Sequence, residues 1–151
     1  MLPSINFYHL TTTSLENALP KLLEKAFSGG YRVLVLAEND ARVEQLNTHL
    51  WTYDEHSFLP HGSASEAYGH AQPILLSTSP EVPNNANLLL VTDGRIFDAN
   101  NKNFERVLDV FDGNDASATA SARARWKNYK DAGYEISYFK QTPQGGWQKN
   151  A

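Results

Sequence analysis

Four of the five histidines, His49, His56, His61 and His70, lie within 22 positions of this 151-residue chain. Imidazole is a common zinc ligand and a general base, so the cluster could hold a metal or move a proton. The spacings of seven, five and nine residues, however, put no two of these histidines three or four positions apart, as ligands on one helix face would be. The pattern therefore favours ordinary surface or hydrogen-bonded histidines over a metal site.

Asp93 follows a predicted buried strand, where an α/β enzyme can keep a carboxylate. Gly94 comes next, and an Asp-Gly pair is typical of a turn in which the carboxylate accepts a bond from its own backbone. The nucleophile motif G-x-S-x-G is absent. A small metal-dependent or hydrolytic enzyme that uses His56, His61 and Asp93 stays open as a third choice, behind a partner-binding module and a nucleic-acid-binding module.

The segment LWTYDEHSFLPHG, residues 50–62, concentrates Trp51, Tyr53 and Phe58 between a predicted helix and a turn. Large rings of this kind are enriched in the binding hot spots of protein interfaces. They are also the residues that fill a domain's own core. The residue types alone leave both possibilities open.

A second candidate surface lies on the Ala-rich helix predicted over residues 116–132. Arg123, Trp126 and Lys127 share a face, since they are three and four positions apart. Cations beside a ring suit an acidic peptide that ends in an apolar residue with a free carboxylate. They also suit single-stranded nucleic acid, whose bases stack on rings. The last two turns of this helix contain four cations, Arg123, Arg125, Lys127 and Lys130. Cations at this end of a helix also interact favourably with its dipole, which is a structural explanation that needs no binding partner.

The elements that must position these residues alternate between strand and helix, which predicts an α/β fold: a small Rossmann-like domain whose mostly parallel sheet is flanked by helices. The capping-box pattern Thr13-Ser14-Leu15-Glu16 predicts a helix with Thr13 as its N-cap and Glu16 reaching back to it, and Gly29 and Gly30 mark its end. We expect residues 1–140 to form one domain and residues 141–151 a loose tail. Strands are predicted over residues 5–10, 32–37, 73–77, 88–92, 104–111 and 134–139, and the second helix begins at Asn39 or Asp40.

Composition limits the function. The chain has no cysteine, a formal net charge of −4 and no apolar run long enough for a membrane span, which predicts a cytoplasmic protein without a membrane partner. The negative charge argues against wrapping nucleic acid over a broad surface. The turn HLTTTS after the first strand lacks the glycines of a nucleotide site, and no phosphate-binding loop motif occurs. No cofactor is expected.

The segment LWTYDEHSFLPHG closely resembles the corresponding segment of the chi subunit of bacterial DNA polymerase III. The resemblance spans nearly the whole chain, through FYHL, RVLVLAEND, PILLST, RVLDVFDG and ARARWKNYKDAGY in that order. It implies a Rossmann-like fold without a nucleotide site and a non-catalytic accessory role. Chi-like proteins dock to the psi subunit of the clamp loader and capture the C-terminal tail of single-stranded DNA-binding protein, so the resemblance implies only indirect contact with DNA.

The resemblance also implies two sets of site residues. The psi-binding surface would include Trp51, Phe58, Pro60 and His61, and Trp51 is the member we expect to be core instead if one of them is. For the acidic tail, the resemblance implies that Arg123 pairs with the carboxylate, Trp126 walls an apolar pocket and Lys127 offsets nearby Asp charges. Trp126 stands where tyrosine is common in chi-like proteins, and residues 116–122 contain no lysine, so part of the family's basic patch is missing.

Overall fold

The computed structural model describes residues 2–54, 59–66, 71–79, 85–97 and 104–150. Within them, three helices alternate with strands along the chain. The helices are α1 (Leu15–Ser28), α2 (Asp40–Thr52) and α3 (Ala116–Asp131). The strands are β1 (Ser4–Leu10), β2 (Val33–Leu36), β3 (His61–Ser63), β4 (Ile74–Ser77), β5 (Leu88–Val91), β6 (Arg106–Asp112), β7 (Ile136–Gln141) and β8 (Trp147–Lys149).

The strands form one sheet in the order β3-β4-β2-β5-β6-β1-β7-β8. All neighbouring pairs are parallel except β7 with β8. The predicted α/β fold with a mostly parallel sheet is therefore confirmed. The strands β1 and β2 are not neighbours, as they would be in a simple strand-helix-strand unit. Two strands from later in the chain, β5 and β6, lie between them.

Helices cover both faces of the sheet, and the alternation of strand residues explains why. In β2, Val33 and Val35 pack with the apolar faces of α1 and α2, while Leu34 and Leu36 pack on the side of α3. All four are fully buried, as a strand covered on both faces requires. The helices α2 and α3, which carry the residues considered for partner binding, consequently lie on opposite sides of the sheet.

The turn between β1 and α1 differs from the prediction in its cap. Ser14, rather than Thr13, is the N-cap, and its hydroxyl accepts a bond from the Asn17 amide at 3.3 Å. The preceding amides have another partner: the side-chain Oε1 of Gln141 accepts bonds from Thr11, Thr12 and Thr13 at 2.9–3.1 Å. In dinucleotide-binding folds this turn holds a phosphate; here a buried amide from the end of β7 occupies the same donors.

The segment after residue 140, predicted to be a loose tail, contains a strand. β8 pairs antiparallel with β7, and the Trp147 ring lies 5.0 Å from Tyr8, nearly perpendicular to it. The hairpin closes at Gly145, whose φ of +86° suits glycine. Thr142 donates its amide to the Gly146 carbonyl, and its own carbonyl and hydroxyl accept bonds from the amides of Gly145 and Gly146. The ring of Trp147 anchors the hairpin against β1.

Candidate partner-binding surfaces

Trp51 forms an exposed ring at the C-terminal end of α2. The helix buries Val43, Leu46 and Leu50 on one stripe, and Trp51 falls beside that stripe with 51% of its surface exposed. Of the four residues that the resemblance implies for psi binding, Trp51 was the one expected to be core if any was. The structure shows the reverse: Trp51 is exposed and His61 is buried.

His61 lies beneath Trp51 and is the buried member of the set. Its ring is 4.3 Å from the Trp51 ring, and only 1% of the residue is exposed. Its Nδ1 is 2.6 Å from the carbonyl of Leu59, and its Nε2 is 3.1 Å from the carbonyl of Asn47. Because both ring nitrogens face carbonyl oxygens inside the protein, the His61 ring supports the Trp51 ring from beneath. Its contact with a psi-like subunit stays a prediction.

Pro60 is half-buried next to His61, at the start of the edge strand β3. Phe58 lies outside the described residues, so its prediction stays a prediction. The described part of this surface is thus Trp51 resting on His61, with Pro60 alongside; we call it the tryptophan surface.

On α3, the three residues implied for the acidic tail lie at the surface together. Arg123 and Lys127 are exposed, and Trp126 is half-buried against the apolar cluster on that side of the sheet. Lys130 Nζ lies 4.8 Å from the centre of the Trp126 ring, which adds a cation–π contact. Within the described residues, no carboxylate comes within ion-pair distance of these cations. We call this group (Arg123, Trp126, Lys127 and Lys130) the cationic ridge.

Arg125 does not belong to the cationic ridge, although it is one of the four cations in the last two turns of α3. It is 3% exposed and forms a two-pronged pair with Asp109 of β6, at 2.7 Å from Nε and 2.9 Å from Nη2. Nη1 donates to Ser121 at 2.8 Å. Burial raises the pKa of the Asp109 carboxyl, and the Arg125 guanidinium opposes that rise. The pair is part of the core between α3 and the sheet.

Two residues that the sequence did not single out share the apolar cluster on which Trp126 of the cationic ridge packs. Ile136 and Tyr138 of β7 are half-buried and pack against the same apolar cluster as Trp126. They are two positions apart on one strand, so they point to the same face of the sheet. Burial raises the pKa of Tyr138, and Arg123 opposes the rise, which puts the cation near that hydroxyl. The alternation of β7 was the signal that could have revealed them.

Two cations and one carboxylate act on His9 near the end of β1. Burial, followed by Lys140 and then Arg123, lowers the pKa of His9, and only Asp112 acts in the other direction. Its Nδ1 is hydrogen-bonded to the Tyr138 hydroxyl. An anionic peptide that lay on the cationic ridge would therefore also approach Tyr138 and the positive field of Lys140.

The residues considered for catalysis have structural partners. Asp93 accepts from the Arg95 backbone at 3.3 Å and pairs with its guanidinium at 2.6 Å, as the predicted turn requires. Arg95 also donates to the carbonyls of Ala37 and Thr78. His56 and His70 lie outside the described residues; among the residues that are described, no three histidine or acidic side chains come together as metal ligands would.

The chain can now be compared with known proteins. Residues 2–137 match the family described as "DNA polymerase III chi subunit, HolC". This chain belongs to the chi subunit family of DNA polymerase III. The match covers every element through the first residues of β7, including α2 and the whole of α3, and so both surfaces described above.

Three relatives agree with the family match. A "DNA polymerase III subunit chi" of Haemophilus influenzae is 26% identical over 91% of this chain and 96% of its own length. The Escherichia coli K12 protein of the same name is 24% identical over 83% of this chain and 84% of its own length. A "Probable DNA polymerase III subunit chi" of Rickettsia prowazekii is 31% identical, and that match covers 57% of this chain and about half (52%) of the Rickettsia protein. In the described part of the chain, no helix is long and apolar enough to cross a bilayer.

Proposed function

We propose that this chain is a non-catalytic accessory subunit of DNA polymerase III that works in the cytoplasm. It would join the clamp loader, through a psi-like subunit, to the C-terminal tail of single-stranded DNA-binding protein. Family membership supports a place in the holoenzyme. The two specific partners rest on the resemblance of the two surfaces to those of chi-like proteins and on their chemistry.

One observation carries the proposal. The tryptophan surface is on α2 and the cationic ridge is on α3, and these helices pack on opposite faces of one sheet. Two partners can therefore bind at once without competing for space, as a bridging subunit requires. The chemistry also differs between them: an exposed ring on one side, and on the other exposed cations around a half-buried ring, with no ion-pair partner among the described residues.

The cationic ridge is tested with a fluorescent peptide that matches the acidic tail of the cognate single-stranded DNA-binding protein. We expect Arg123→Glu to abolish peptide binding, because it replaces the partner of the terminal carboxylate with a repelling charge. Binding by the unaltered protein should weaken as salt rises, since exposed charge pairs are screened beyond about 8–10 Å.

A matched control separates the specific role of Arg123 from the effect of the protein's net charge on peptide binding. Arg123→Ala lowers the charge of the protein by one, and so does Asn17→Asp, an exposed change on α1 at the other face of the sheet. Only Arg123→Ala should weaken the peptide complex in a fluorescence anisotropy titration. Equal loss in both variants, or none in either, would remove the cationic ridge as the tail site.

The tryptophan surface is tested by co-purification with a psi-like subunit. An exposed fraction of 51% on a side chain of about 250 Å² leaves about 125 Å² to be buried by a partner, worth about 3 kcal/mol. Trp51→Ala should therefore weaken the complex by about two orders of magnitude. Phe58→Ala is expected to weaken it too, with the fold intact.

Phe27→Ala is the control, because Phe27 is another exposed ring, 39% exposed, at the end of α1. It should leave the psi complex unchanged. Retained psi binding by both Trp51→Ala and Phe58→Ala would refute this half of the proposal. Loss of tail peptide and psi in the same single variant would mean one shared site or a folding defect, which circular dichroism distinguishes.

A further inference from the structure

A groove on the α1 side of the sheet is lined by rings and edged by lysines, and the proposed function does not use it. Its volume is about 620 Å³, within the range of ligand sites. Three rings form its floor: Tyr8 of β1, Phe139 of β7 and Trp147 of β8. Lys21 and Lys25 of α1 and Lys149 of β8 lie along its rim. We call it the ring groove.

The groove exists because the sheet extends beyond the helix that covers it. α1 packs on the sheet near β2 and β6, whereas β7 and β8 continue outward past β1. Tyr8 and Phe139 are register partners, and their rings stack at 5.1 Å with only 13° between the planes. Trp147 stands nearly perpendicular against Tyr8 at 5.0 Å. Phe139 and Trp147 remain partly exposed, so flat ring surface is available to a ligand.

The rim is positive although the whole protein is negative. Lys21 and Lys25 are exposed and four residues apart, which places them one above the other along α1 with a rise of about 6 Å. Lys149 is exposed on β8 two positions from Trp147 and so points to the same face. Among the described residues, none of the three lysines has a carboxylate within ion-pair distance. Glu24, between them in sequence, accepts a bond from the Tyr53 hydroxyl on the side of α2.

A second, smaller cavity of about 270 Å³ continues the ring groove and shares Tyr8, Lys25 and Phe139 with it. It adds another cation and another ring, because the Arg106 guanidinium lies 5.6 Å over the ring of Tyr31. The two cavities together are thus lined by both rings and cations. These features suit a ligand that carries several negative charges and several flat apolar groups.

We propose that the ring groove binds a short stretch of single-stranded nucleic acid. Bases stack on aromatic side chains without regard to sequence, and a positive groove follows the phosphates; both features are present here. An acidic peptide offers the charge but not a repeated flat group, so the paired rings favour the nucleic acid. The groove lies on the face of the sheet opposite the cationic ridge, so the two sites are independent. This proposal does not depend on the proposed partners.

The probe is a fluorescein-labelled oligothymidylate, titrated with the full chain at several salt concentrations. Three lysines on three phosphates give a slope of about −2 in a plot of log K against log salt for a single strand. Lys21→Ala/Lys25→Ala should reduce the slope to about −0.7 and weaken binding about 25-fold at 0.1 M salt. Trp147→Ala should weaken it about 5- to 150-fold through lost stacking, and Trp147→Phe should keep most of the affinity and show that β8 is still formed.

The control adds the same change of charge on the other face. Ala124→Glu/Asn128→Asp introduces two negative charges at exposed positions of α3, and oligothymidylate binding should persist. If this variant loses the oligonucleotide while Lys21→Ala/Lys25→Ala keeps it, nucleic acid binds the cationic ridge and the proposal is overturned. Absence of binding by the unaltered chain overturns it as well. Lysine-dependent binding of poly-glutamate without binding of oligothymidylate would assign the groove to an acidic peptide instead.

Discussion

The buried pair between Arg125 and Asp109 gives the sharpest test of the structure. Asp109→Ala would leave the guanidinium of Arg125, which is 3% exposed, without its carboxylate. Breaking a buried pair by removing one partner costs about 3–5 kcal/mol. For a domain of this size, 1 kcal/mol corresponds to about 2–4 °C in Tm, so we expect a decrease of about 6–20 °C.

Two further variants separate burial of charge from simple loss of packing. Asp109→Leu/Arg125→Met replaces both ions with apolar side chains, and its stability should return close to that of the unaltered protein or exceed it. Arg123→Ala, two positions away on the exposed side of α3, should change the unfolding free energy by no more than about 0.5 kcal/mol. Urea denaturation measured by circular dichroism gives all three values.

A cost of less than about 1 kcal/mol for Asp109→Ala would contradict a buried pair, because a pair that weak is a solvated surface pair. A second result would contradict it from the functional side. The folded Asp109→Leu/Arg125→Met protein should bind the acidic tail peptide as well as the unaltered chain does. Lower affinity would return Arg125 to the set of tail-binding cations.

Three other predictions concern the ends of β1 and β6. Gly113→Ala should lower the unfolding free energy, measured in urea, by about 1–3 kcal/mol, because a Cβ there would lie 2.0 Å from the His9 ring and 2.5 Å from the Leu10 carbonyl. Gly133→Ala is the control: its Cβ would meet no neighbour within 4 Å, but its φ is +89°, so this variant tests backbone strain alone. Gln141→Ala should cost about 1–3 kcal/mol, because Thr11, Thr12 and Thr13 lose their shared acceptor, while Gln141→Glu should retain an acceptor and lose less. Because the folded state lowers the pKa of His9, the unfolded chain takes up a proton near pH 6.5 and the folded chain only at lower pH. The unfolding free energy should therefore fall as pH drops below about 6.5, and a His9→Asn variant whose slope is unchanged would contradict this.

Much of the fold could be predicted because its signals are local. The continuous apolar run around Val33–Leu36 is typical of a strand buried on both faces, and β2 is such a strand. The alternation in β6 favoured a strand over a helix, and the structure confirms a strand at Arg106–Asp112. The order of strands in the sheet could not be predicted, because it depends on which distant strands pair: within the described residues, both neighbours of β1 come from the last third of the chain.

The candidate sites were predicted less completely, and for a similar reason. Helical spacing grouped Arg123, Trp126 and Lys127, and all three reach the surface on one helix. Arg125 is two positions from Arg123, so it points to the other side of α3, but only the position of Asp109 on a neighbouring strand decides that it is buried. The residue types of Trp51 and His61 could not predict which of the two rings is buried; the structure buries His61 and exposes Trp51.

The position of β1 in the middle of the sheet governs when this protein can fold during synthesis. Ile5 pairs with Val107 on one side and with Ile136 on the other, so β1 has neither of these partners until β6 has been synthesised and lacks the second until β7 follows. Until then its apolar side chains and free backbone edges are open to chaperones and to other nascent chains. A stall or premature stop anywhere before β7 would yield a product with an unfinished centre rather than a stable N-terminal half.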